Sequence, residues 1–230
     1  MAIVYNTSVV RSGLVLYLDA ANPKSYPGSG TTWTDLSGFS NTGTLINGLT
    51  FNSSNNGSLS FDGANDYVNV SSSVSLPYSS SPRTVTIWFY TNTTTWQDNI
   101  NNLFFYGSRN TGQAVGIDFG TFPNMEVYTW GGVDRDLTFA TGFDQVGWKN
   151  IALTYNGANS ILIYENGKPT QTLTLSAPCN TATSDINLGA LVSSSWYFDG
   201  RISIFGMYNR ALDLSEIQQN FNAARGRYNI

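Results

Sequence analysis

An all-β fold of short antiparallel strands, closed by one short helix, is what this sequence predicts, on three observations. At 230 residues, 41% of them hydrophobic, the chain has the size of one large β domain that buries its core without covalent staples. Apolar and polar residues alternate with a period of two in segment after segment, each bounded by Gly, Asn, Ser or Pro. Ser, Thr and Asn supply about a third of the chain and charged residues only 11%, a balance that suits polar-faced strands and turns rather than charged helices.

Residues 14–18 read as the first strand, and the Asp-, Asn-, Pro- and Gly-rich residues 19–28 as the turn after it. Residues 33–43 form an ordered loop leading into a strand over 44–51, with a turn at 52–57. Two alternating strands, 58–62 and 67–70, flank Gly63-Ala-Asn-Asp66. A Ser-rich connection then precedes Thr84-Val-Thr-Ile-Trp-Phe-Tyr90, which alternates as a half-buried strand should. Middle strands follow at 103–106, 114–119 and 125–129. Residues 148–155 and 161–164 lead into Asn166-Gly167, whose residues both tolerate positive φ, so a tight hairpin is predicted with its return strand at 170–175.

Helical spacing occurs once. Asp213 can cap the amide of Glu216 while Glu216 reaches back, and Leu214, Ile217 and Phe221 then share one face that docks on the sandwich. No linker divides the chain, so residues 14–230 are read as one domain and residues 1–13 as an N-terminal arm.

Charge and termini narrow the role. Net charge is −4, with three Lys among eleven basic residues and no basic run, which argues against a nucleic-acid or anionic-membrane partner. The N-terminus lacks a positive region and an apolar run, and no segment is long enough to insert in a bilayer; synthesis in a cytoplasm is expected. The single cysteine, Cys179, has no internal partner and no neighbouring His or Lys in sequence to activate it, so a buried inert thiol is expected.

Three ordered segments resemble laminin-G-like, concanavalin A-type jelly-roll domains. They are Leu59-Ser-Phe-Asp-Gly-Ala-Asn-Asp-Tyr-Val68, then Trp148-Lys-Asn-Ile-Ala-Leu-Thr-Tyr-Asn-Gly157 with Tyr164-Glu-Asn-Gly167, and finally Phe198-Asp-Gly-Arg-Ile-Ser-Ile204 with the helix after it. The resemblance implies a two-sheet antiparallel sandwich, a fold shared by lectins, carbohydrate-binding modules, glycosidases, adhesion domains and virion proteins, so fold alone gives no function. The ending, Gln218 to Ile230, resembles structural proteins of tailed phages, especially those of cyanobacteria.

What this second resemblance implies is a non-enzymatic virion surface protein, decorating a capsid or forming part of a tail or fibre, made in the host cytoplasm. Its partners would be copies of itself (a trimer, by analogy with threefold virion parts), other virion proteins and host-surface glycans. The arm and the C-terminal tail would make the subunit contacts, and deleting residues 1–10 would then block incorporation without unfolding the domain. The alternative is a free carbohydrate-binding module or lectin; a glycosidase comes third.

The chemistry-bearing residues fit that order. With no histidine, imidazole catalysis, Ser-His-Asp triads and His-ligated zinc are excluded. The carboxylate pair of a retaining glycosidase, carried by the family's enzymes as Glu-x-Asp-x-x-Glu, is missing around Glu126, Glu165 and Glu216; Asp134-Arg-Asp136 is the nearest acidic pair and reads as a loop. Asp62 and Asp66 gather hard oxygen ligands suited to calcium, although as turn residues satisfying local amides they are explained more simply. Trp96, Tyr128, Trp130 and Trp196 lie in or beside loops and are the candidates for stacking on sugar rings, whereas Trp33, Trp88 and Trp148 are read as core.

Overall fold

The longest strands bury side chains on both of their faces, and that requires something to cover each side of one sheet. The computed structural model describes residues 8–92, 101–120, 124–129, 137–141 and 146–230. Among these the first strands are β1 (Leu14–Asp19), β2 (Thr32–Trp33), β3 (Gly43–Ile46), β4 (Thr50–Asn52), β5 (Ser58–Asp62) and β6 (Tyr67–Val70). Next come β7 (Arg83–Thr91), β8 (Asn102–Gly107), β9 (Ala114–Phe119), β10 (Asn124–Tyr128), β11 (Leu137–Ala140) and β12 (Gly147–Tyr155). The chain ends with β13 (Ser160–Glu165), β14 (Lys168–Thr174), β15 (Ile186–Leu188), β16 (Ala190–Leu191), β17 (Trp196–Tyr197), β18 (Asp199–Tyr208) and helix α1 (Leu214–Ala224).

The strands form two antiparallel sheets packed face to face, the jelly-roll sandwich expected. The first runs β14-β13-β12-β7-β18-β5-β4, with β1 also on β18; the second runs β11-β10-β9-β8-β15-β6-β3-β2. Between them lies the main core, in which Val85, Ile87 and Phe89 of β7 meet side chains such as Phe104, Ile117 and Val127 of the second sheet. The other face of the first sheet carries Trp88, Trp148 and Tyr208, sealed by Ile217 of α1 and by Tyr228. Trp33, Trp88 and Trp148 are all buried, as the sequence suggested.

Local devices follow the sequence closely. Asn166 and Gly167 take φ of 49° and 74° and join β13 to β14 in a two-residue hairpin, with Gly167 seated under the Phe221 ring where a Cβ would come within 2.9 Å. Asp213 accepts from the Glu216 amide at 2.9 Å and Glu216 accepts from the Asp213 amide at 3.1 Å, completing the capping box. Arg210 locks Glu216 further with a bidentate pair at 2.7 and 2.5 Å.

Three expectations change. Leu214 does not join the docked face of α1: as the first helical residue it is 43% exposed, while Ile217 is buried and Phe221 stacks on Trp88. The strand read over 44–51 is two strands, because Asn47 (φ 68°) and Gly48 (φ 112°) turn the chain from the second sheet to the first. Residues 8–10 of the expected arm pack on their own domain, so they are not dispensable to folding. Residues 1–7 lie outside the described residues, but the Val10 amide donates to Asn220 Oδ1 at 2.8 Å and the Val10 carbonyl accepts from Tyr208 Oη at 3.0 Å. A deletion through residue 10 therefore removes folding contacts as well.

Candidate functional site

The outer face of the second sheet is where accessible aromatic and polar side chains meet. Its pairing register sets one cross-sheet row: Tyr128 opposite Gly116, Gly116 opposite Phe105, Phe105 opposite Asn187, Asn187 opposite Asn69, and Asn69 opposite Thr44. Because successive residues of a strand point to opposite faces, this row lies away from the core. Gly116 leaves room for the Tyr128 ring to lie across the strand, and Tyr128 stacks on Phe105 with centroids 5.9 Å apart. The Tyr128 hydroxyl is hydrogen-bonded to the side-chain amide of Asn102. Tyr128 is thus 1% exposed and forms the floor of the site; as a direct sugar-stacking residue it is corrected, since its ring face is already covered by protein.

Above that floor stands the short β16–β17 ribbon, in which Leu191 pairs with Trp196. Trp196 is half-buried and packs on the small cluster of Phe105, Ala114, Tyr128 and Leu191. Beside it opens a groove of about 450 Å³, lined by Phe105, Gly107 and Arg109 from the β8 end, Asn187 from β15, and Leu191, Val192 and Ser193 from the ribbon. Asn69 Nδ2 donates to Asn187 Oδ1 at 3.2 Å and to Asp185 Oδ2 at 3.1 Å, which fixes the Asn187 amide at the groove floor. An apolar base with a few oriented polar groups is the usual make-up of a small-ligand site.

Of the four aromatic candidates, the structure brings Tyr128 and Trp196 to one cluster; Trp96 and Trp130 lie outside the described residues. The sequence does not single out Phe105 and Asn187, which the β8–β15 pairing joins across more than eighty positions, or Arg109, which follows β8. A carboxylate pair is also hidden from the sequence, because its members lie on two different strands. Asp118 and Glu126 face each other across β9 and β10 in the neighbouring outer row, where Thr138 Oγ1 donates to Glu126 Oε1 at 3.1 Å. Asp134 and Asp136 lie outside the described residues.

The acidic loop behaves as turn chemistry in part. Asp62 Oδ1 accepts from the amides of Ala64 at 2.9 Å and Asn65 at 3.3 Å, and these donors, Ala64 first, hold the exposed Asp62 carboxyl below its ordinary pKa. Asp66 Oδ2 accepts from the Asp62 amide at 3.2 Å, and burial, with the Asp62 charge second, pushes its carboxyl up. Among the described residues no three His, Cys, Asp or Glu side chains are grouped to hold a metal ion, so oxygen donors for a cation beyond these two carboxylates would have to be neutral ones.

The fold is shared with known binding domains. The binding domain of Paraclostridial Mosquitocidal Protein 1 superposes with a TM-score of 0.71 at 17% identity, covering 93% of this chain and 52% of that one. For the binding domain of botulinum neurotoxin DC in complex with rat synaptotagmin II the values are 0.71, 16%, 94% and 52%. The chain therefore spans about half the length of these toxin domains. Domain 4 of AbnA, a GH43 extracellular arabinanase from Geobacillus stearothermophilus, in complex with arabinotriose, matches with a TM-score of 0.65 at 16% identity, over 93% of this chain and 98% of that one. No curated protein sequence matches the chain. A laminin G family model, described as the concanavalin A-like lectin/glucanases superfamily, matches residues 62–218, and with the two-sheet sandwich in place the chain belongs to that superfamily.

Proposed function

We propose that this is a non-catalytic glycan-binding domain that takes a short saccharide in the groove on the outer face of its second sheet. The observation that carries the reading is the groove itself: about 450 Å³, based on Phe105 and Leu191, with Arg109, Asn187 and Ser193 as polar anchors and Trp196 at its side. Apolar rings and side chains pack on the C–H faces of a sugar while amide and guanidinium groups hold its hydroxyls. The arabinotriose complex of the arabinanase domain lends support by fold analogy.

The test is a glycan array followed by calorimetry on the wild type, Trp196→Ala and Asn187→Ala. Each substitution is expected to weaken the best ligand by roughly tenfold or more, about 1.4 kcal/mol. A blank array, or unchanged affinity in both variants, would refute the assignment. The setting we attach to it is the surface of a virion, supported by the resemblance of residues 218–230 to tailed-phage structural proteins. Peptides of this chain in purified particles would bear that out, and their absence would leave a free lectin or carbohydrate-binding module.

A further inference from the structure

We propose a calcium site, separate from the saccharide groove, between the β3–β4 turn and the β5–β6 loop, with Asp62 and Asp66 as its charged ligands. A second groove, of about 290 Å³, opens there and is lined by Asn47, Thr50, Ser60, Asp62 and Asp66, with Gly48 and Phe61. Every side-chain heteroatom in that lining is an oxygen except the Asn47 amide nitrogen, and that nitrogen is turned aside to donate to the Asn65 carbonyl at 2.9 Å. No Lys or Arg lines the groove to balance its two carboxylates. Hard cations that take six to eight oxygen ligands, carboxylate and neutral together, suit such a set; imidazole- and thiolate-seeking metals do not.

The independent observation is Asp66 itself. It is 4% exposed, one carboxylate oxygen accepts from the Asp62 amide, and the other, Oδ1, is buried with no hydrogen-bond partner. Turn formation accounts for Asp62 Oδ1, which caps two amides, but leaves Asp66 Oδ1 unexplained. A buried carboxylate oxygen without a donor is unfavourable unless a cation or proton meets it. The site sits at the β4–β5 side of the first sheet, so it is structurally distinct from the groove on the second.

Calorimetric titration with calcium chloride, with magnesium chloride as control, and thermal unfolding of the full chain test the proposal. The wild type is expected to bind calcium with Kd on the order of 10⁻⁴–10⁻³ M. Tenfold excess over that value should raise Tm by roughly 3–6 °C. Asp66→Asn is expected to lose the calcium-dependent shift and to weaken binding by roughly tenfold or more, because affinity follows ligand charge. Asp62→Asn, at an exposed position whose cap an amide oxygen can still make, should do the same, with circular dichroism checking that the fold is kept. The proposal is overturned by a wild type that shows neither heat nor shift with calcium, or by both variants keeping the wild-type shift.

Discussion

Arg83→Met is expected to destabilise the domain by about 3–5 kcal/mol, lowering Tm by roughly 10 °C. Arg83 opens β7 and is 0% exposed. Its Nε donates to the Ser81 carbonyl at 2.9 Å, one terminal nitrogen to the Ser79 carbonyl at 2.6 Å, and the other to Thr181 Oγ1 at 2.9 Å and to the Tyr106 hydroxyl. The guanidinium carbon also lies 5.2 Å from the Tyr155 ring centre and 5.8 Å from that of Tyr106. Tyr106 belongs to β8 of the second sheet and Arg83 to the first, so the planar fork ties the two sheets and the connecting segments together at one end of the sandwich. Methionine keeps much of the volume but strips a donor from the buried Tyr106 and Thr181 hydroxyls, each costing about 1–3 kcal/mol unless water reaches it, and from the part-buried Ser79 and Ser81 carbonyls. Lysine keeps the charge but cannot span the fork, so Arg83→Lys should fall between the two. Urea unfolding decides: a Met variant within about 1 kcal/mol of wild type would mean the orphaned groups are rehydrated rather than stranded.

That arginine also marks the boundary of what the sequence could tell. Positions governed by local chemistry were legible: the alternation of β5, β7 and β12, the positive-φ pair Asn166-Gly167, and the Asp213–Glu216 box all form as read. Strands of two to four residues such as β2, β11, β16 and β17 left too few alternations to register, and an Asn-Gly turn hid the break between β3 and β4. Period two says that a strand has two faces but not which one is covered. A loop after Tyr128 suggests an exposed ring, yet the missing side chain of Gly116 on the partner strand buries it. The saccharide groove was illegible for the same reason: Phe105, Asn187 and Leu191 become neighbours only through non-local pairing and the packing of the β16–β17 ribbon.

Tyr228→Ala should cost a similar amount, about 3–5 kcal/mol for a buried aromatic that cannot be refilled from nearby, while leaving saccharide affinity unchanged. The ring is 4% exposed and is held between Trp88, with centroids 4.3 Å apart, and Trp148 at 4.5 Å. Its hydroxyl donates to Ser203 Oγ at 2.8 Å, which donates in turn to the Gly57 carbonyl at 2.6 Å. Burial pushes the phenol up to about 12, so the neutral donor form persists across the ordinary working range of pH. One residue earlier, Arg227 reaches both carboxylate oxygens of the buried Asp19 at 2.8 and 2.9 Å. Its carbonyl accepts from Asn55 Nδ2 at 3.0 Å, and Asn55 Oδ1 accepts from Trp148 Nε1 at 2.9 Å. The tail is therefore a lid on the outer face of the first sheet, and the groove lies on the far side of the second. Removing the ring should red-shift the emission of Trp88 and Trp148 and lower the unfolding midpoint, with the glycan titration unaltered below that midpoint. A loss of affinity in a folded Tyr228→Ala domain would show that the two faces are coupled. The same geometry limits how the tail can serve assembly: releasing it to a neighbouring subunit would uncover both tryptophans and strand Asp19, so any subunit contact must be made by the tail in its docked position.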